Sequence, residues 1–310
     1  MERPKGGSRL TSEAEIKAQV RSFYNDIGWK QIGEGLYQNA RFEDLRPVSR
    51  QYIHLCHMRV AKHLVPKGRF LLDAGSGPIQ YPEYLEYSKG YQRRVCLDIS
   101  HRALVEAKSR IGEHGLYVIG DVAHLPFVDE SFDGVVSMHT IHHLPPDDHI
   151  LAFNELYRML HPKGQAVVVN SWGEYSLLMN LTSPLVKLSN MLIKIYRRLR
   201  KIDDPWRMPT MGQDTQEAQR LVQSGGSYVH HHSYSELKSM LKEFPSLEIR
   251  VWRTLSTVAM RALVHRRLLG KIWLKYLFCL EERAPRLLGR FGQYAMILFR
   301  KPEAPEASIE

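Results

Sequence analysis

The sequence predicts an α/β protein: a doubly wound, mostly parallel sheet with helices on both faces and helical cap insertions. Three observations predict it. Apolar runs at 69–73, 94–98, 116–119, 133–138 and 165–171 alternate with helical stretches. The first run, Leu71-Leu72-Asp73, ends in an acid and enters the turn Ala74-Gly75-Ser76-Gly77-Pro78-Ile79. The second, Val95-Cys96-Leu97-Asp98, ends in another acid. That pattern makes a nucleotide-shaped pocket at the carboxyl ends of the first two strands. The glycines let backbone approach a ligand, and Asp98 is placed to accept from both hydroxyls of a ribose.

The elements follow in order. Residues 12–29 read as a helix, with Thr11 or Ser12 as its cap and Glu13 or Glu15 in the first turn. A second helix spans 48–64. After the five strands, Tyr234–Phe244 reads as a helix capped by Ser233, and Leu247–Thr254 and Tyr294–Lys301 as the last two strands. The organisation expected is a helical cap segment at 1–66, the core at 67–172, a helical cap insertion at 173–233, and the rest of the core at 234–301 with a helical insertion at 255–293. The polar, acidic tail 302–310 is expected to be disordered. No internal repeat is visible.

Composition bounds the function. A chain of 310 residues, 44% hydrophobic, can bury one large core or a core plus a cap. No apolar stretch approaches the length of a membrane span, and the first residues lack the apolar middle of a secretory signal. Cys56, Cys96 and Cys279 lie far apart, which predicts a reduced, cytoplasmic setting. His54-x-Cys56-His57 resembles a metal-binding fragment without a further ligand, so no metal is expected. The net charge is +10, and it is concentrated: 255–293 holds eight Lys/Arg against two acids, and 173–233 eight against five. Leu185, Leu188, Leu192, Ile195, Leu199 and Ile202 form one helix face, with Lys187, Lys194 and Lys201 beside it. Such a basic amphipathic helix suits peripheral contact with anionic membrane, or contact with nucleic acid. The alternative is a face packed on the core with its cations solvated.

The nucleotide is narrowed by what the turn lacks. A dinucleotide fingerprint wants Gly or Ala where this chain has Gln80, and Pro78 interrupts the turn. No Gly-Lys-Ser/Thr is present. NAD and ATP are disfavoured. Further motifs follow: Gly120-Asp121-Val122-Ala123-His124-Leu125-Pro126-Phe127, then Ser131-Phe132-Asp133-Gly134 through Met138-His139, Ile141-His142-His143-Leu144, and Leu156-Tyr157-Arg158-Met159-Leu160-His161-Pro162-Lys163-Gly164. In order and spacing the chain resembles the class I S-adenosylmethionine (SAM) dependent methyltransferases, in the methyltransferase type 11 branch that contains the quinone-biosynthesis C-methyltransferases. The resemblance covers residues 67–172 and implies a Rossmann-like core with SAM as cofactor. It implies that Asp98 holds the ribose, Asp121 and Val122 meet the adenine edge, and Gly75 and Gly77 face the methionine half. Asp73, Ser76, Ile99, Met138 and His139 complete the implied cofactor set. Ile79 departs from the family, which usually has a third glycine there, so backbone at Ile79 is expected slightly further from the cofactor.

The acceptor site is less marked. His142 and His143 follow the fourth strand at the pocket mouth; either could contact the cofactor or take a proton, or both could simply fill the turn. A histidine at this place in the related family favours a site-lining role for His143. In Tyr228-Val229-His230-His231-His232, three adjacent histidines cannot all face one point, but Tyr228 and His230 are candidate acceptor contacts, with Tyr24 and Trp172 as aromatic walls. Trp206 and Tyr175 are further candidates, and each aromatic is equally a packing residue. Asp133 reads as a structural acid at a strand start. Together with the amino-terminal helix, the two insertions are expected to cover the carboxyl edge and hold the acceptor. The acceptor is expected to be small and amphipathic or hydrophobic. The alternative is nucleic acid, since parts of the chain are also similar to the tRNA wobble-uridine methyltransferases; it is not favoured, because the basic segments interleave with aliphatic rather than exposed aromatic residues. A SAM fold without activity is disfavoured by the intact Asp73, Gly75, Gly77, Asp98 and Asp121.

Overall fold

Continuous apolar runs make strands buried on both faces, which requires helices above and below the sheet. The computed structural model describes residues 12–33, 36–201 and 227–303. The described chain opens with α1 (Glu13–Phe23), capped by a reciprocal pair in which Ser12 Oγ accepts from Glu15 N–H and Glu15 accepts from Ser12 N–H. Thr11, the other candidate cap, lies outside the described residues. The helix runs on into a π-type turn, Tyr24–Gly28, and then a small antiparallel ribbon, β1 (Gln31–Gly33) with β2 (Leu36–Tyr37). The alternating region follows: α2 (Arg50–Ala61), β3 (Gly68–Ala74), α3 (Glu83–Glu86), β4 (Tyr91–Asp98), α4 (His101–Ile111), β5 (Gly115–Ile119), β6 (Phe132–Met138), α5 (Asp148–Met159) and β7 (Leu160–Ser171). Beyond it lie α6 (Leu177–Arg200), α7 (Tyr234–Met240), β8 (Glu248–Arg253), α8 (Thr257–Leu263), α9 (Gly270–Arg283), α10 (Pro285–Phe291) and β9 (Tyr294–Arg300).

Seven strands form one sheet in the order β5-β4-β3-β6-β7-β9-β8. The β3–β4, β4–β5, β3–β6 and β6–β7 pairings are parallel, and β9 alone runs against its neighbours β7 and β8. The chain order reverses between β3 and β6, and ligands of such sheets bind outside the carboxyl ends at that switch point. Successive strand residues face opposite sides. Leu72, Val135 and Val168 therefore enter one core with Phe153 and Leu156 of α5, while Leu71, Val136 and Val167 enter the other with Tyr52, Val60 and Trp252. Asp133 accepts the backbone N–H of Arg69 and Phe70, tying β6 to the start of β3.

The insertion at 255–293 leaves β8 at the carboxyl edge and returns into β9. It packs outward from there. Ser189 Oγ in α6 donates to the Ala262 carbonyl at 2.5 Å, which lays α8 along α6. Arg59 of α2 pairs with Glu281 and Glu282 of α9, and Tyr52 donates to Glu281 at 2.7 Å. Gly289 of α10 sits on the backbone of Arg250 and Val251, where a side chain would be only 2.5 Å from the Arg250 carbonyl carbon.

Candidate active site

A cavity of about 450 Å3 opens at the switch point, within the roughly 300–1,000 Å3 usual for small-molecule sites. Its floor is the turn after β3. Gly75 and Ser76 both donate to the Leu97 carbonyl, at 2.7 and 3.1 Å, which pins the turn to the end of β4. Gly75 (φ 75°) and Gly77 (φ 56°) take left-handed backbone, and a side chain at Gly75 would lie 2.2 Å from Thr140. Ile79 takes the same left-handed backbone, φ 54°. The position where the resemblance expects glycine thus keeps a glycine-like conformation, and its fully buried side chain packs into the core and not into the cavity. A β-branched residue is strained there.

Asp98 closes the floor. Its carboxylate accepts the backbone N–H of Gly77 at 2.9 Å and of Ser100 at 2.8 Å. Burial raises its pKa to about 6, against the lowering effect of those two donors. The cavity's other acids each meet a cation among the described residues. Asp73 is held by Arg94, whose Nε lies 3.1 Å away. Glu43 is held by Arg253, and Asp121 by Lys17 of α1 at 2.6 Å. Lys17 also reaches Asp148 at 2.6 Å, so one ammonium ties α1 to the ends of β5 and α5. Asp98 meets no cation among the described residues, and its outward lone pairs are those a vicinal diol needs.

The far end is aromatic and charged. His143 Nδ1 lies 2.7 Å from the Tyr228 carbonyl, which only accepts, so Nδ1 carries the proton. Nε2 is then the acceptor for the Tyr24 hydroxyl at 2.7 Å. Burial lowers the His143 pKa to about 4, and burial with the Asp98 charge raises that of Tyr24. His142 Nδ1 lies 2.9 Å from Asn170 Oδ1, and burial with His143 nearby lowers its pKa. His139 packs edge-on against Trp252 and Tyr294, and burial beside Arg253 lowers its pKa to about 3. All three rings are therefore neutral near pH 7. Beneath them, His57 sits 3.6 Å from Glu43 and 3.7 Å from Glu83, at ion-pair rather than hydrogen-bond distance. Burial opposes its charge, but the two carboxylates raise its pKa overall. Burial likewise opposes the Glu43 charge, yet Arg253 and His57 hold its pKa at about 2.

The cavity gathers Asp73, Gly75, Ser76, Gly77, Asp98, Ile99, Asp121, Val122, Met138 and His139 at one place, with His142, His143 and Tyr24. Three other candidates lie elsewhere. Trp172 is in the core, its indole N–H donating to the Gly289 carbonyl at 2.7 Å. Tyr228 and His230 are also off the lining; Tyr228 contributes its carbonyl to His143, and the His230 ring turns to His149 and His232. In this irregular segment Ser227, Val229 and His231 face the cavity, so the alternation is one residue out of step with the sequence reading. Tyr175 is half exposed, and Trp206 lies outside the described residues. The insertion at 255–293 supplies no lining residue; the roof comes from 17–43, 227–231, Trp252, Arg253 and Tyr294. Sequence reasoning missed the Glu43–Arg253 pair and Trp252. The available signal was that Trp252 and Arg253 end a strand at the ligand-binding edge.

Residues 72–168 match the model of a methyltransferase domain. The chain is 30% identical over 124 residues to phosphatidylethanolamine N-methyltransferase of Cereibacter sphaeroides, covering 37% of this chain and 57% of that protein. It is 32% identical over 183 residues to the ubiquinone/menaquinone biosynthesis C-methyltransferase of Roseobacter denitrificans, covering 56% of this chain and 66% of that one. These matches span less than two thirds of the relatives' own lengths. In fold it is similar to phosphoethanolamine N-methyltransferase 1 of Haemonchus contortus, solved with phosphoethanolamine and S-adenosylhomocysteine, with a TM-score of 0.54 at 11% identity over 96% of this chain and 52% of that one. Residues 72–168 belong to the class I SAM-dependent methyltransferase superfamily.

Proposed function

We propose that the protein binds SAM with its ribose on Asp98 and transfers the methyl group to a small, amphipathic or hydrophobic acceptor. The observation that carries this reading is the single cavity that joins the uncompensated Asp98 carboxylate to an aromatic chamber. SAM, when bound, supplies an electrophilic methyl carbon on a sulfonium. The residues of this chain bind, orient and exclude water. Gly75 and Gly77 let backbone approach the methionine half, and Asp121 and Val122 flank the adenine. Tyr24, Trp252, Tyr294 and His139 wall the acceptor chamber against water, which favours a near-attack alignment. The Tyr24–His143 pair holds a polar atom of the acceptor in place. A pKa of about 4 makes His143 too weak a base to ionise that acceptor near pH 7. Arg253 and Glu43 offer a polar anchor at the chamber's far wall. The two bacterial relatives are named for a phospholipid and a quinone acceptor, which supports an apolar acceptor. Among the described residues no helix is long and apolar enough to cross a membrane.

Thermal unfolding with added nucleotide checks the cofactor. S-adenosylhomocysteine is expected to raise Tm, by a stabilisation of about 2.7 kcal/mol at a hundredfold excess over Kd. NAD at the same concentration is expected to leave Tm unchanged. Equal shifts from the two would overturn the assignment.

A further inference from the structure

The methyl-transfer reading leaves unused the second half of α6 and the stretch Arg266–Arg283. On α6, Leu185, Leu188, Leu192, Ile195 and Leu199 all stay exposed, Leu199 by 78%, and the helix buries no residue. On the other stretch, Leu268, Leu269, Ile272 and Trp273 are 66, 63, 63 and 65% exposed. The two come from one end of a single pairing. α8 runs beside α6 from Ser256, whose N–H meets Met179 Sδ, to Ala262, which meets Ser189. The turn Arg266–Leu268 and the start of α9 follow directly from that end.

Charge distinguishes the candidate partners. Residues 177–201 hold six Lys/Arg and no acid, and residues 266–283 hold five Lys/Arg against two acids, of which Glu281 is buried and Glu282 is paired with Arg59. A second copy of this chain on the same face would bring like charges together, which costs association. Nucleic acid would meet the cations but leave the leucines and Trp273 in water. An anionic bilayer meets both: apolar side chains enter the headgroup boundary while lysine and arginine stems reach the phosphates.

We propose that the second half of α6 and the Arg266–Arg283 stretch form one face that docks on an anionic lipid bilayer. This does not rest on the methyl-transfer reading, because none of these residues lines the cavity. The face positions the chain as a peripheral protein and gives it access to lipid-soluble molecules.

Co-sedimentation of the full chain with vesicles tests it. Binding is expected to phosphatidylcholine vesicles containing phosphatidylglycerol, weakened by salt, and not to phosphatidylcholine alone. The double variant Lys271→Gln/Lys275→Gln is expected to lower the partition coefficient about 25-fold, roughly fivefold per charge. Ile272→Asp/Trp273→Asp is expected to abolish it; both side chains are exposed, so folding by circular dichroism is expected to be kept. No binding of the wild type to the anionic vesicles would overturn the proposal, as would unchanged binding of both variants. A dimer in light scattering that Ile272→Asp/Trp273→Asp dissolves would assign the face to a second copy and overturn it. Binding to bulk tRNA that is lost in Lys271→Gln/Lys275→Gln but kept in Ile272→Asp/Trp273→Asp, without vesicle binding, would assign it to nucleic acid.

Discussion

Asp98→Ala is expected to weaken S-adenosylhomocysteine binding at least about 100-fold, and up to about 10,000-fold, by calorimetry. Two hydroxyls lose a charged acceptor, each worth about 1.5–3 kcal/mol. The same change orphans the N–H groups of Gly77 and Ser100, which hold the floor of the turn. Asp98→Asn is expected to do nearly as badly, because its amide N–H2 would face one of those backbone donors. The wild type itself is expected to lose affinity as pH falls through about 6, where Asp98 takes a proton. The linked stability has the opposite sense. Its folded pKa lies above the ordinary aspartate value of 3.8, so the folded state binds more protons between those values and Asp98 disfavours folding as pH rises through them. Unchanged affinity in Asp98→Ala would remove the ribose assignment.

Arg94→Met is expected to cost about 3–5 kcal/mol in urea unfolding, because it leaves Asp73 buried without its cation. Burial already pushes the Asp73 pKa up, with Arg94 opposing. Adding Asp73→Asn in the same chain is expected to recover most of the loss, since an apolar or neutral pair of similar volume tolerates burial better than one lone charge. If the double variant is no more stable than Arg94→Met, the ion pair is not what holds the two groups. The sequence resemblance implies a cofactor contact, and the structure places the residue on the cavity wall with its charge already engaged by Arg94.

What was legible in the sequence was local. The strands and the cofactor turn are written in contiguous residues, because a parallel strand buried on both faces must be an unbroken apolar run and a close backbone approach needs glycine. Asp98, Asp121 and Met138 come to one edge because they end successive strands of one sheet. The acceptor end was less legible because it depends on contacts distant in sequence. Glu43 meets Arg253, Lys17 bridges Asp121 and Asp148, and Tyr24 reaches His143; no spacing rule encodes such pairs. The sequence predicts Tyr228 and His230 as contacts, whereas Val229 and His231 face the cavity, since an irregular segment carries no periodicity to fix the phase. Trp172 reads equally well as a wall or a core residue until its indole N–H is seen to meet Gly289. The exit edge of the 255–293 insertion predicts a roof, but α2, α6 and β8 give it partners away from the cavity.

The measurement that bears most directly on the central claim is a crystal structure of the full chain with S-adenosylhomocysteine. The expected result places both ribose hydroxyls within hydrogen-bond distance of Asp98, the adenine beside Val122, and the sulfur facing the chamber of Tyr24, Trp252 and Tyr294. A ligand bound outside this cavity, or one whose ribose rests on another group while Asp98 keeps only its backbone donors, would contradict it.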